Sequence, residues 1–81
     1  MSRPQPLTER QLRIVDQISY YYLFPKEARV GREQMTVREL IAEDLDLSTS
    51  QVRMAIDRLC QRYDCPTRDL PARVAAERVE A

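Results

Sequence analysis

The chain has 81 residues, 43% of them hydrophobic and 32% charged, and its 13 basic residues balance 13 acidic ones. That length allows one domain with a small core, and that balance is typical of a globular protein rather than a disordered chain. The sequence contains no histidine and a single glycine, which excludes Ser/His and Cys/His nucleophile pairs and a glycine-rich phosphate loop. We therefore expect no enzyme and no cofactor.

The two cysteines, Cys60 and Cys65, are typical of a cytoplasmic protein with reduced thiols and do not indicate a metal site. A structural zinc ion takes four ligands from Cys and His, so two cysteines without histidine are expected to hold no metal and to pack as small reduced thiols. The N-terminus is polar, and no stretch approaches the roughly 20 apolar residues that span a membrane. We expect a cytoplasmic protein with no membrane contact.

The first predicted helix follows a flexible arm at residues 1–6. Thr8 and, three residues later, Gln11 form a capping-box pattern. Apolar residues then recur three or four positions apart, as on one face of a helix: Leu12, Val15, Ile18 and Tyr22. The pattern predicts a helix from Glu9 to Tyr22.

Residues 23 to 35 show no clean periodicity. Pro25 disfavours helix before it, and Gly31 permits a turn. A short helical turn fits residues 25 to 29. The segment is long for a loop in so small a domain, so it is either a functional element or a packed extension.

Two further capping boxes, Thr36 with Glu39 and Ser48 with Gln51, predict the next two helices. These helices run from 37 to 44 and from 49 to 63, and a short turn from 45 to 48 joins them. Their expected hydrophobic frame consists of Ala42, Leu45, Leu47, Val52 and Ile56.

A fourth helix follows Pro66, with Thr67 or Asp69 as its cap. Pro71 is tolerated in its first turn, where backbone donors have no helical partner. The residues expected to pack back onto the domain are Leu70, Val74 and Val79. The whole chain is thus predicted to hold one domain over residues 7–78 and a frayed end at 79–81.

The segment from Leu47 to Arg68 resembles the DNA-binding domains of the LuxR/GerE family. It follows their LS start, TVK-like triplet, long helix and KLGV-x-SR ending without a gap, and the segment from Leu7 to Val15 is similar to their LTxRExEVL opening. The chain departs from the family by an insertion around residues 20–34 and by Gln51 where the family usually has Thr. The resemblance implies an all-α, four-helix helix-turn-helix domain, here with an extended loop or short extra helix after helix 1.

The same resemblance implies a small transcriptional regulator that binds double-stranded DNA, with the recognition helix at residues 49–63 in the major groove. Carried over to this chain, the DNA-binding residues are Thr49, Ser50, Gln51, Arg53, Met54, Arg58, Arg62 and Arg68. Gln51 would pair with adenine, and Arg53 with guanine or a phosphate. The resemblance also suggests a homodimer that pairs through the C-terminal helix.

A protein-binding anti-activator or adaptor is the alternative, in which the same scaffold binds a transcription factor instead of DNA. From Ser48 to Arg68 four arginines face two aspartates, a balance of only +2, and helix 2 is acidic. Phosphate neutralisation supplies most non-specific DNA affinity, so few surplus cations favour a protein partner. The candidate interface residues are Tyr20, Tyr21, Leu23 and Phe24. The tyrosine run also fits a simple helix end, with one tyrosine packed inward.

Overall fold

A computed structural model describes residues 5–80, and the side chains of residues 79 and 80 lie outside the description. Over this range the chain is all-helical: α1 (Glu9–Leu23), α2 (Val37–Leu45), α3 (Thr49–Tyr63) and α4 (Leu70–Glu80). Short 3-10 turns at Glu27–Arg29 and Thr67–Asp69 precede α2 and α4. The predicted arm at 1–6 falls largely, and the predicted frayed end at 79–81 partly, outside the described residues, as does the predicted packing of Val79.

The first three helices begin at reciprocal capping boxes, as predicted. The hydroxyls of Thr8, Thr36 and Ser48 each accept a hydrogen bond from the backbone N–H three residues later, whose own side chain accepts from the cap N–H. Each box satisfies two backbone donors that a helix start leaves unpaired. Residues three apart in the sequence therefore determine where these helices begin.

Left-handed aspartates end α2 and α3: Asp46 has φ 56° and Asp64 has φ 50°. Aspartate tolerates this conformation better than most residues other than glycine. After the reversal, the Leu47 N–H donates to the Ala42 carbonyl at 2.8 Å, and the Cys65 N–H donates to the Cys60 carbonyl at 3.2 Å. Leu47 and Cys65 thereby turn back onto the core, and only three residues separate α2 from α3.

The core forms where α1 packs against α2, α3 and α4. The buried apolar residues are Ile14, Val15, Ile18, Tyr21, Ala28, Leu40, Ile41, Ala42, Val52, Ile56, Leu59, Leu70 and Val74. Three residues of the predicted frame lie among them, and Leu45 and Leu47 pack at the edge. No helix in the part of the chain described here is long and apolar enough to cross a membrane.

The prediction of which tyrosine packs inward was wrong. Tyr22, expected on the apolar face of α1, is half exposed, whereas Tyr21 is 1% exposed. The buried stripe runs through Ile14, Ile18 and Tyr21, at spacings of four and three, and Tyr22 lies a further 100° around the helix. Because Tyr21 is inside the domain, it is not part of the predicted protein interface.

Candidate nucleic-acid interface

The first turns of α2 and α3 border a shallow depression of about 350 Å³. Its lining residues are all exposed: Thr36, Arg38, Glu39, Thr49, Ser50 and Arg53. Hydroxyl groups, two guanidinium groups, the Glu39 carboxylate and two helix N-termini therefore meet on one surface. All of these except the carboxylate are groups that hydrogen-bond to phosphates and base edges in protein–nucleic acid complexes.

The two helix N-termini at this surface differ in charge. At α2, the carboxylate of Glu39 lies 3.3 Å from the Thr36 backbone nitrogen and 3.0 Å from its hydroxyl. At α3 the equivalent partner is a neutral amide, since Gln51 Oε1 accepts from the Ser48 N–H at 2.9 Å. A carboxylate offsets the positive end of a helix dipole, whereas an amide does not. The start of α3 is therefore the better site for an anion.

Five of the predicted DNA-binding residues lie on the exposed surface of α3: Thr49, Ser50, Arg53, Met54 and Arg58. Within the described residues, neither Arg53 nor Arg58 forms an ion pair. Gln51 is also exposed, but its carbonyl oxygen closes the capping box. The expected bidentate contact of Gln51 with adenine would compete with that bond for the same oxygen.

Arg62 is bound within the molecule. Its guanidinium donates to the Gln5 carbonyl, lies 3.4 Å from the Glu77 carboxylate and sits 5.4 Å from the centre of the Tyr63 ring. Only 25% of its side chain is exposed. These contacts tie the chain before α1 to α3 and α4, so the predicted phosphate contact would have to break them. Arg68 is exposed in the turn before α4 and does not line the depression.

Thr36 and Arg38 were missed at the sequence level. The sequence indicates Thr36 as the cap of helix 2, but only the net acidic charge of that helix bears on DNA binding in the sequence prediction. The signal that could have found them is positional, because in a helix-turn-helix the first helix crosses the DNA backbone beside the recognition helix. Residues in its first turn are then candidates for phosphate contact.

The acidic end of α2 is partly neutralised by Arg32. Its guanidinium lies 2.9 Å from the Asp44 carboxylate and 4.0 Å from that of Glu43. The Tyr21 hydroxyl donates to Asp44 as well, and burial together with this hydrogen bond raises the pKa of Tyr21. Glu43 and Asp44 lie about 10 Å along the helix from the first turn, at 1.5 Å per residue. Their charges therefore lie away from the depression and are offset in part by Arg32.

The segment after α1 is a packed extension, one of the two readings left open by the sequence. Ala28 is buried, and Arg32 donates both to the Ala28 carbonyl and to the Tyr21 hydroxyl, each at 3.1 Å. The 3-10 turn lies within the predicted helical turn at 25–29. Arg32 thus holds the extension against both α1 and α2.

An exposed apolar surface lies at the end of α1, here called the aromatic patch: Tyr20, Leu23 and Phe24. Their exposed fractions are 46%, 69% and 49%, and the rings of Tyr20 and Phe24 lie 5.7 Å apart. The other three members of the predicted protein interface are therefore accessible, in contrast to Tyr21.

The cysteines lie at the end of α3 and are free and half-buried. Cys60 Sγ is 3.7 Å from the Thr67 hydroxyl, and burial raises the pKa of the Cys65 thiol. A raised pKa lowers the thiolate fraction, so Cys65 is a poor nucleophile. This environment fits packing at the edge of the core.

Comparisons of the chain with family models, with curated proteins and with solved structures found no match in any of the three. The family resemblance and the functional reading therefore rest on this chain's own residues and on the geometry described above.

Proposed function

We propose that this protein is a small transcriptional regulator that binds double-stranded DNA through α2 and α3 as a helix-turn-helix, with α3 as the recognition helix. The observation that carries the proposal is the exposed depression between the first turns of these helices, with its hydroxyl and guanidinium groups. The proportions also fit, because helices of 9 and 15 residues with a three-residue connection suit the motif.

Each part of the surface has a role in this proposal. Arg53, near the start of α3, reads a base edge, since arginine pairs bidentately with O6 and N7 of guanine. Thr49 and Ser50 donate to phosphate, helped by the uncompensated dipole of α3. Arg38, across the depression, and Arg58, one turn beyond Met54, bind phosphates on either side.

A detail at the end of α3 supports the family resemblance. The glycine of the family's KLGV ending corresponds to Asp64, whose φ is 50°. Glycine adopts that left-handed conformation without strain, and aspartate is among the residues that tolerate it. Although Asp64 replaces the family's glycine, its backbone conformation is one that glycine also adopts readily. The resemblance also suggests pairing of two copies through α4, which would double the DNA contacts.

A DNA titration tests the proposal. Duplexes are selected from a random library, and their affinity is measured by fluorescence anisotropy at about 50 and 200 mM salt, a range over which phosphate contacts weaken strongly. Arg53→Ala should lower affinity for the selected duplex about 5- to 150-fold, as for the loss of one bidentate base contact.

Arg13→Ala is the matched control, because Arg13 is an exposed arginine on α1 that pairs with Glu9 at 2.7 Å, away from the depression. It should leave DNA affinity unchanged within about two-fold, the scatter expected for a distant surface change. Circular dichroism establishes that both variants fold. No binding at low salt, at concentrations up to about 100 µM, would overturn the proposal, because non-specific DNA binding falls within that range.

The aromatic patch favours a second candidate function, the binding of a transcription factor by an anti-activator or adaptor. Aromatic side chains are enriched at protein interfaces and supply many of their energetic anchors. This function predicts that Tyr20→Ala with Phe24→Ala abolishes binding to the transcription factor while circular dichroism stays unchanged. A complex that survives both substitutions would rule out the patch as its interface.

A further inference from the structure

Met54 is an apolar side chain that the fold does not use. It is 53% exposed on the outward surface of α3 and does not pack against the core. Of the described side chains, it is the only exposed large hydrophobic one outside residues 20–30. Its helical neighbours four positions away, Ser50 and Arg58, are both exposed and polar.

Met54 lies beside the residue to which the proposed function assigns base reading. It directly follows Arg53, and Cα–Cβ bonds in a helix tilt towards the N-terminus, so Met54 is directed to the end of α3 that borders the depression. In the major groove thymine alone presents an apolar group, its 5-methyl, while the other bases present donors and acceptors. A flexible, polarisable thioether suits such a contact.

We propose that Met54 makes the recognition surface select thymine, by packing on the 5-methyl group of a base next to the one read by Arg53. This rests on the proposed function and adds a specificity determinant to it. Cytosine at that position would place a polar N4 amino group against the thioether, where it finds no good acceptor. The protein then discriminates between the two pyrimidines through one apolar contact.

Uracil scanning of the selected duplex tests the contact, since replacing thymine by deoxyuridine removes only the methyl group. At one thymine, the replacement should lower wild-type affinity about three- to five-fold, as expected for one buried methyl group. The Met54→Ala variant should bind the thymine and uracil duplexes equally well. Met54→Leu should keep the preference for thymine, because it retains an apolar side chain.

The variants separate this role from an alternative in which methionine serves only as a good helix former. Ala and Leu have helix propensities as high as Met, so both variants preserve α3. Leu23→Ala is a further control, because it removes an exposed apolar side chain at the end of α1 and should retain the full uracil effect.

Each outcome is decisive. If the wild type binds its selected duplex but every uracil replacement affects wild type and Met54→Ala equally, the Met54 proposal is overturned while DNA binding stands. If selection enriches no duplex and the wild type binds none at low salt, the proposed function fails, and the Met54 proposal fails with it.

Discussion

The first turns of α2 and α3 and the segment from residue 20 to residue 32 expose opposite chemistry. The former present hydroxyl groups, two guanidinium groups and one carboxylate around a depression, while the latter holds five of the six exposed large hydrophobic side chains among the described residues. The two regions are also stabilised by different contacts. Capping boxes within α2 and α3 fix the helix starts of the first region, whereas hydrogen bonds from Arg32 to α1 and α2 fix the position of the second.

This difference shows how a chain of zero net charge can expose an excess of arginine at one surface, where Arg38 and Arg53 outnumber Glu39. Arg32 forms an ion pair with Asp44, and Arg62 forms one with Glu77. Arg38 and Arg53 line the depression instead. The total count of charges therefore underestimates what the surface offers a phosphate. What matters is which cations the tertiary structure leaves unpaired.

The largest expected effect is on stability, at the tyrosine run that begins the second region. Tyr21→Ala should lower the free energy of unfolding by about 3–5 kcal/mol, as for other large aromatic side chains removed from a core. Tyr20→Ala and Tyr22→Ala should cost about 0.5 kcal/mol or less, as is usual at exposed sites. Urea unfolding followed by circular dichroism measures all three. Equal losses would contradict the burial pattern.

The next prediction compares the DNA affinities of two variants, one altered in each region. Arg53→Ala should weaken binding to the selected duplex about 5- to 150-fold, or about 1–3 kcal/mol. Tyr20→Ala with Phe24→Ala should leave it within about two-fold, because surface changes away from a site have small effects. A tenfold loss in the patch variant would instead place the aromatic patch at the DNA.

A smaller effect is expected from the phosphate contact across the depression. Arg38→Ala should weaken DNA binding similarly for all sequences and reduce the slope of log affinity against log salt by about 0.9, as for one phosphate contact. Lys26→Ala provides the comparison, because Lys26 is an exposed cation in the other region. An unchanged slope in Arg38→Ala would exclude Arg38 from the interface.

The smallest effect is a loss of stability at alkaline pH. Burial and the bond to Asp44 raise the pKa of Tyr21 from its ordinary value of 10.0 in the folded state. The stabilisation is therefore fully present below pH 10 and is lost as the pH rises through the folded-state pKa. Tyr21→Phe should flatten this decline in unfolding titrations above pH 10. The remaining slope should include Tyr63 and Cys65, whose pKa values burial also raises.

Much of the helical fold could be predicted from the sequence because its signals are local. The predicted helix from 49 to 63 matches α3, and those from 9 to 22 and 37 to 44 end one residue early. The candidate site was predicted in part: the exposed residues of α3 were identified, but Thr36 and Arg38 were not. Their proximity to α3 depends on how α2 packs against it.

The sequence by itself determined the helix starts, because each capping box links residues three apart, and it determined the apolar frame through helical spacing. Only the tertiary structure decided which tyrosine is buried, since Tyr21 and Tyr22 differ by one step of about 100° around α1. The tertiary structure also decided which arginines form intramolecular contacts. Arg62 pairs with Gln5 and Glu77, which are 57 and 15 residues away. No local pattern encodes such contacts, because packing of the helices brings the partners together.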